Sequence, residues 1–252
     1  MNGRFLPLDG VIILTALILL FTTVTAAAQS VNIDLGSGGS GGATGRIVQL
    51  TALVTVLSLA PSLLVMITAF TRIVIVLSLL RSAIGAQGTP PNSVIIGLSL
   101  FLTFFVMQPT MDQAWEQGLS PMIEGSMPEM AGFQETLKPF HQFMVVNARQ
   151  ADLQFFSDIA KLPSVAEPAE TSWRALIPAF MIGELRRAFE MGFLLYLPFM
   201  VIDLVVGSVL MSLGMMMLPP NAVSLPFKLI FFVMVDGWRL VSGSLVQSFL
   251  PS

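Results

Sequence analysis

Long uncharged runs alternate with polar stretches along this chain, and the alternation predicts its elements. Residues 47–71 carry no charged side chain, Arg72 and Arg81 follow, and residues 82–111 are uncharged again. Each run exceeds the ~20 residues that cross a bilayer, so together they predict a pair of long apolar helices. Pro61 is expected to kink the first. "GAQGTPPN" (residues 85–92) separates them. Gly85 stops one helix, Pro90 and Pro91 forbid its continuation, and Asn92 is placed to cap the next. Residues 175–252 repeat the apolar pattern as a second helical pair, broken at "GMMMLPPN" (residues 214–221). Residues 112–174 differ in kind: nine acidic against four basic side chains leave −5. They read as a polar helical insertion with loops near Pro121, Pro128 and Pro163.

The N-terminal residues read as processing and linker sequence. Arg4 supplies a charged start, residues 11–21 a short apolar core, and Ala26, Ala27 and Ala28 an A-x-A cleavage site. Residues 1–28 are therefore expected to be a cleavable signal peptide, with a retained helix as the alternative. Residues 29–46 form a glycine- and serine-rich linker. Its matches to G-x-G-x-x-G and G-x-S-x-G carry no weight, because neither lies between a strand and a helix. The acidic insertion, lacking basic bias, fits the outer, periplasmic side, as does an N-terminus placed outside by signal cleavage.

The two hairpins share a pattern. Residues 75–94 align without gaps to residues 204–223, matching Gly85 to Gly214 and Pro90, Pro91 and Asn92 to Pro219, Pro220 and Asn221. Either two hairpins need the same stop–turn–start chemistry, or the chain contains an internal repeat like those of membrane transport proteins. The copies differ where the first has Ala86, Gln87 and Gly88 and the second has Met215, Met216 and Met217.

Composition narrows the class. Of 252 residues, 54% are hydrophobic and 11% charged, against about 25% charged in soluble domains. The net charge of −3 gives no support for nucleic-acid binding. With no cysteine and one histidine, His141, thiol chemistry is excluded and a histidine-based metal site or triad is disfavoured. Three adjacent helical methionines point in three directions, so a thioether copper site is set aside. Two readings of the methionines remain, core filling and a flexible apolar lining.

Charges inside the second apolar region need partners, since one at mid-bilayer costs about 2.5–3.5 kcal/mol on insertion scales. Glu184 with Arg187, Arg186 with Glu190, and Asp236 with Arg239 have spacings that meet on a helix face. Asp203 and Lys228 have no such neighbour, flank the methionine turn, and are expected to pair within the hairpin or between subunits. Snorkelling to a membrane surface is the alternative. Arg149 is a further pairing candidate, with Glu184. Such charges are tolerable only against protein or a wet cavity, which predicts a subunit of an assembly.

Residues 70–110 ("FTRIVIVLSLLRSAIGAQGTPPNSVIIGLSLFLTFFVMQPT") and residues 176–249 are similar to two signatures of the FliP family. Residues 140–160 ("FHQFMVVNARQADLQFFSDIA") resemble the family's segment between the hairpins. The likeness runs from about residue 47 to the C-terminus, and the signal peptide and "FTRI" favour the flagellar branch. The linker matches no family motif, and Gly88 stands where glutamine is more usual. The resemblance implies a core subunit of the flagellar type III protein export gate, related to SctR-type virulence secretion proteins. It implies no enzymatic activity and no cofactor. The implied setting is the bacterial inner membrane at the flagellar basal body, with several copies of this chain, FliQ, FliR, FlhB and FlhA as partners. Unfolded proteins would be conducted past a methionine gasket at Met215, Met216 and Met217, while Glu184, Arg186, Arg187, Asp203 and Lys228 would be buried in protein. A non-conducting assembly scaffold and a virulence-type counterpart are the alternatives. The expected fold is an all-α membrane protein: two long helical hairpins and a polar helical insertion, packed in a multi-subunit helical assembly.

Overall fold

The computed structural model describes residues 65–86, 88–163, 170–215 and 217–250, together with Val48, Leu50, Thr51, Val54, Thr55, Ser58 and Ser62. The expected signal peptide and linker, Pro61, Gln87 and Met216 lie outside the described residues. The chain divides into two units, Met1–Thr55 and Val56–Ser252. In the first, the described positions are helical. The second holds everything that follows.

Described positions up to Met66 are helical, and a break spans Ile67, Thr68 and Ala69. Helix α1 (Phe70–Ile84) then runs to Gly85, whose φ of 78° is the left-handed value a residue without Cβ adopts freely. Helix α2 (Asn92–Ala114) starts from Pro91 in extended conformation. The proline, not an Asn92 side chain, ends the turn: Asn92 caps nothing and already lies in the helix. The loop expected near Pro121 is also absent. A π-helical turn (Trp115–Leu119) and α3 (Ser120–Ile123) carry the helix on. Asn92–Ile123 is thus a 32-residue rod that passes into the insertion. Pro121 sits just after the π-turn, at the second position of α3 and close to the end of the rod at Ile123.

The insertion continues as α4 (Glu129–Asn147) and α5 (Gln150–Ile159). Helix α6 (Trp173–Ser212) has 40 residues. At ~1.5 Å per residue it is about 60 Å long, twice the ~30 Å hydrocarbon core, so one end must leave the apolar layer. Its N-terminal portion packs on the insertion through Leu176 and Phe180, which share a buried cluster with Ile67 and Met144. After the methionine turn, α7 (Pro220–Met234) and α8 (Gly237–Gln247) meet at a 63° bend. The second pair is therefore one long helix against a broken one.

Helix α1 is the centre of this arrangement. Ile73, Val76, Leu77, Leu80 and Ala83 are all buried, in a cluster closed by Ile95 and Leu102 of α2, Ala188 and Phe199 of α6, Phe232 of α7 and Leu245 of α8. By contrast Phe101, Phe104 and Phe105 of α2 and Phe193, Leu204 and Val209 of α6 face outward. Among the described residues two helices, Asn92–Ile123 and Trp173–Ser212, are long and apolar enough to cross a membrane, and the bent α7–α8 pair is a third candidate.

At the π-turn, α4 comes close enough that a Cβ on Gly118 would lie 2.4 Å from the Thr136 backbone nitrogen. Backbone against backbone cannot yield. Gly118→Ala is expected to destabilise the protein by about 1–3 kcal/mol through overpacking. Gly97→Ala, in open space on α2, is expected to be neutral or to stabilise by roughly 0.5–1 kcal/mol. Thermal midpoints of the detergent-purified variants check both.

Candidate functional site

Two ion pairs hold α1, a fully buried one at its start and a partly buried one at its end, where the Asp203 side chain is 27% exposed. At its C-terminal end, Asp203 of α6 and Lys228 of α7 meet. The Lys228 ammonium donates to Asp203 Oδ2 at 2.6 Å and to the Ala83 carbonyl at 3.1 Å. Ser224, one turn before Lys228, donates to the other carboxylate oxygen at 2.5 Å. Lys228 is 5% exposed and Ser224 is fully buried. Ala83 O belongs to the last turn of α1, whose carbonyls lack partners further along the helix. The ammonium thus also places positive charge where the helix dipole favours it. Asp203 and Lys228 join not only the two arms of their own hairpin but also the end of the first.

At the N-terminal end of α1, Arg72 and Glu184 of α6 are both fully buried. The Arg72 Nε–H donates to Glu184 Oε2 at 2.8 Å, and a terminal nitrogen donates to Oε1. The other terminal nitrogen donates to the Ser248 carbonyl at 3.0 Å and hydroxyl at 2.8 Å. Phe249 lies against the guanidinium, 3.6 Å from ring centroid to Cζ, and stacks on Phe143 of α4. This fork uses what arginine has and lysine lacks: planar, bidentate donors that also stack on a ring. Arg187 adds a longer contact to Glu184, at 3.8 Å.

The expected pairing of Arg149 with Glu184 does not form. Glu184 is taken by Arg72 and Arg187, and Arg149 lies 3.8 Å from Asp152, three residues along on α5. Arg186 and Glu190 do meet, at 2.8 Å, but each is more than half exposed. Water screens such a pair, and it adds little to stability. Arg72, Ser224, Ser248 and Phe249 are the functional-site residues that sequence reasoning missed. Only the need to neutralise an arginine in an apolar run pointed toward Arg72.

The two turns close differently. In the first, Gly85 N–H bonds back to Arg81 O at 3.3 Å, and the Arg81 guanidinium donates to Asn92 Oδ1. In the second, Gly214 (φ 72°) N–H reaches Met211 O at 3.1 Å and Met215 N–H reaches Leu210 O at 3.0 Å. That double closure is a Schellman motif made wholly by backbone. Pro219 is extended and Pro220 and Asn221 begin α7. Met217 is 98% exposed and Met215 44%. An apolar side chain this bare, beside outward-facing Leu213 and Leu218, marks a surface meant to be covered or to line a space. No cluster of three potential metal-ligating side chains occurs among the described residues.

Apolar outer faces, charges neutralised deep inside and an exposed methionine turn define a helical membrane protein built to pack in an assembly. The FliP family model matches residues 53–245. The flagellar biosynthetic protein FliP of Caulobacter vibrioides is 55% identical over 94% of this chain and 89% of its own length. That of Rhizobium meliloti is 49% identical over 89% of this chain and 93% of its own, and that of Aquifex aeolicus 46% over 94% and 98%. The chain belongs to the FliP family.

Removing one partner of a buried pair strands the other charge, at a cost of about 3–5 kcal/mol, whereas replacing both with apolar groups of similar volume is often neutral. Lys228→Met or Asp203→Leu alone is expected to lower the yield of protease-resistant protein strongly, and the double variant to recover most of it. The reversed pair, Asp203→Lys with Lys228→Asp, is expected to recover less, because it sets a carboxylate against Ala83 O. Limited proteolysis in membranes ranks the four.

Proposed function

We propose that this chain is a channel-forming subunit of the flagellar type III export gate, through which unfolded export substrates pass. The supporting observation is the methionine turn. A frame of Schellman closure, Pro219, Pro220 and the Asp203–Lys228 pair holds a segment whose described methionines are bare. Met is unbranched and polarisable, so it packs against irregular and changing surfaces. A ring of such turns, one from each of several copies, makes a gasket that closes when empty and reshapes around an extended chain. Met216 completes the gasket with Met215 and Met217.

Family membership makes the chain a component of flagellar biosynthesis and protein export. The proposed partners are further copies of itself, FliQ, FliR, FlhB and FlhA, in the bacterial inner membrane at the basal body. The insertion lies on the periplasmic side. The outward apolar faces of α2, α6 and α7 supply the surface such packing needs. The charged pairs Asp203–Lys228 and Arg72–Glu184 are structural, and Arg186, Arg187, Glu190 and Arg149 are rim charges around them.

Replacing Met215, Met216 and Met217 together by alanine is expected to raise ion leakage through the reconstituted gate while leaving assembly intact. Single-channel conductance with size-exclusion profiles as the assembly control tests this. Conductance equal to that of the unmodified gate removes the seal, and a gate that never conducts, even with the methionines removed, points instead to a scaffold.

A further inference from the structure

The apolar helices turn two kinds of face outward. Phe101 and Phe104 of α2 and Val233 and Met234 of α7 are exposed and apolar. Helix α8 differs. Its inward face, Gly237, Val241 and Leu245, is buried. Its outward face gathers Asp236, Arg239, Gly243, Ser244 and Gln247, with Val235 and Leu240 among them, around a shallow recess of about 480 Å³. The Arg239 and Asp236 side chains are 88% and 68% exposed and lie 3.9 Å apart. Yet α7 and α8 together are apolar enough to form one bent span. A charge turned to lipid is costly, so ionisable residues in a span face protein or water.

The position of α8 is fixed at its far end. Ser248 accepts from Arg72 at the start of α1, and Phe249 stacks on α4 of the insertion. The methionine turn lies at the other end, where Lys228 reaches Ala83 and comes within 3.9 Å of a Cβ built on Gly85. Helix α8 therefore occupies the insertion side of the molecule, past the bend and away from the methionines.

We propose that the polar face of α8, with Arg239, Ser244 and Gln247 at its centre, lines a water-filled vestibule on the insertion side of the methionine constriction. It is the wall along which an extended polypeptide slides after the seal. Small and polar groups with one balanced charge pair suit that task. They stay hydrated, and they separate the exposed Val235 and Leu240 with polar groups and a glycine. The inference rests on the channel reading above and adds to it a second lining element of opposite character.

The absence of cysteine gives a clean background for labelling. Ser244→Cys and Gln247→Cys are placed beside Phe104→Cys on α2 and Val233→Cys on α7, each in the complete gate in spheroplasts. A membrane-impermeant sulfonated methanethiosulfonate is added outside. The thiolate is the reacting form and apolar surroundings suppress it, so the two α8 positions are expected to label at least about tenfold faster than the other two. A substrate fused to a tightly folded C-terminal domain, stalled in the gate, is expected to slow them severalfold. Equal, slow labelling at all four positions overturns the proposal, and fast labelling that a stalled substrate leaves unchanged overturns the conduit. Conductance of the unmodified gate is read separately, so a conducting gate with unlabelled α8 positions removes this inference and leaves the channel reading in place.

Discussion

A guanidinium with no access to water dictates much of this structure. Arg72 sits at the start of a 15-residue helix surrounded by apolar side chains. Desolvation would make that position untenable without acceptors on every side. Glu184 supplies the charge, Ser248 two further acceptors and Phe249 a ring face. These partners come from α6 and from the segment after α8, so one arginine gathers the start of the first hairpin and both ends of the second. The other end of α1 is held by the same logic with the polarity of the helix used directly: a lysine at the carbonyl end, itself neutralised by Asp203. Neither end of α1 is complete until the second hairpin is in place, and the two apolar hairpins form one body for that reason.

The two turns show how a shared frame can serve different ends. In the alignment, Arg81 and Asn92 of the first copy correspond to Leu210 and Asn221 of the second. The first turn adds the Arg81–Asn92 side-chain bond to its backbone closure from Gly85 to Arg81. Lacking that arginine, the second is closed by backbone, from Gly214 and Met215 to Met211 and Leu210. A turn closed by backbone places no demand on the side chains between its glycine and its prolines. Three methionines can stand there without disturbing the fold. The turn pattern follows from helix-stop chemistry in both copies, and the methionines are the part it leaves free.

Much of this was legible in the sequence, and the failures have identifiable causes. Long uncharged runs gave the helices, and the shift to −5 over residues 112–174 marked the insertion. Asp203 and Lys228 could be matched because each lacked a partner within a helical turn. The same test misled at Glu184. Arg187 stands three residues away and looked sufficient, which hid an arginine 112 residues distant. No loop opens at Pro121 because the helix runs on through the π-turn before it to Ile123. The α7–α8 bend has no proline to announce it. It comes from Asp236 at φ 50° and from Gly237, where a Cβ would lie 2.2 Å from the Phe232 ring. The second is a tertiary fact, a ring that needs a neighbour without a side chain.

The distribution of rigidity follows from these contacts. The proposed methionine seal can deform usefully only if its base does not, since motion at the base would change an aperture whatever the side chains did. Here the base is over-determined. Asp203 has a donor on each oxygen, Lys228 two acceptors, and the turn two backbone bonds and two prolines. None of these depends on the methionines, which contribute no polar group that needs satisfying. Side-chain rotation of unbranched thioethers takes place on fast timescales and at small energetic cost, while opening the frame would unpair buried charge. In the proposed seal, the motion of the methionine side chains is therefore separated from any motion of the frame that carries them.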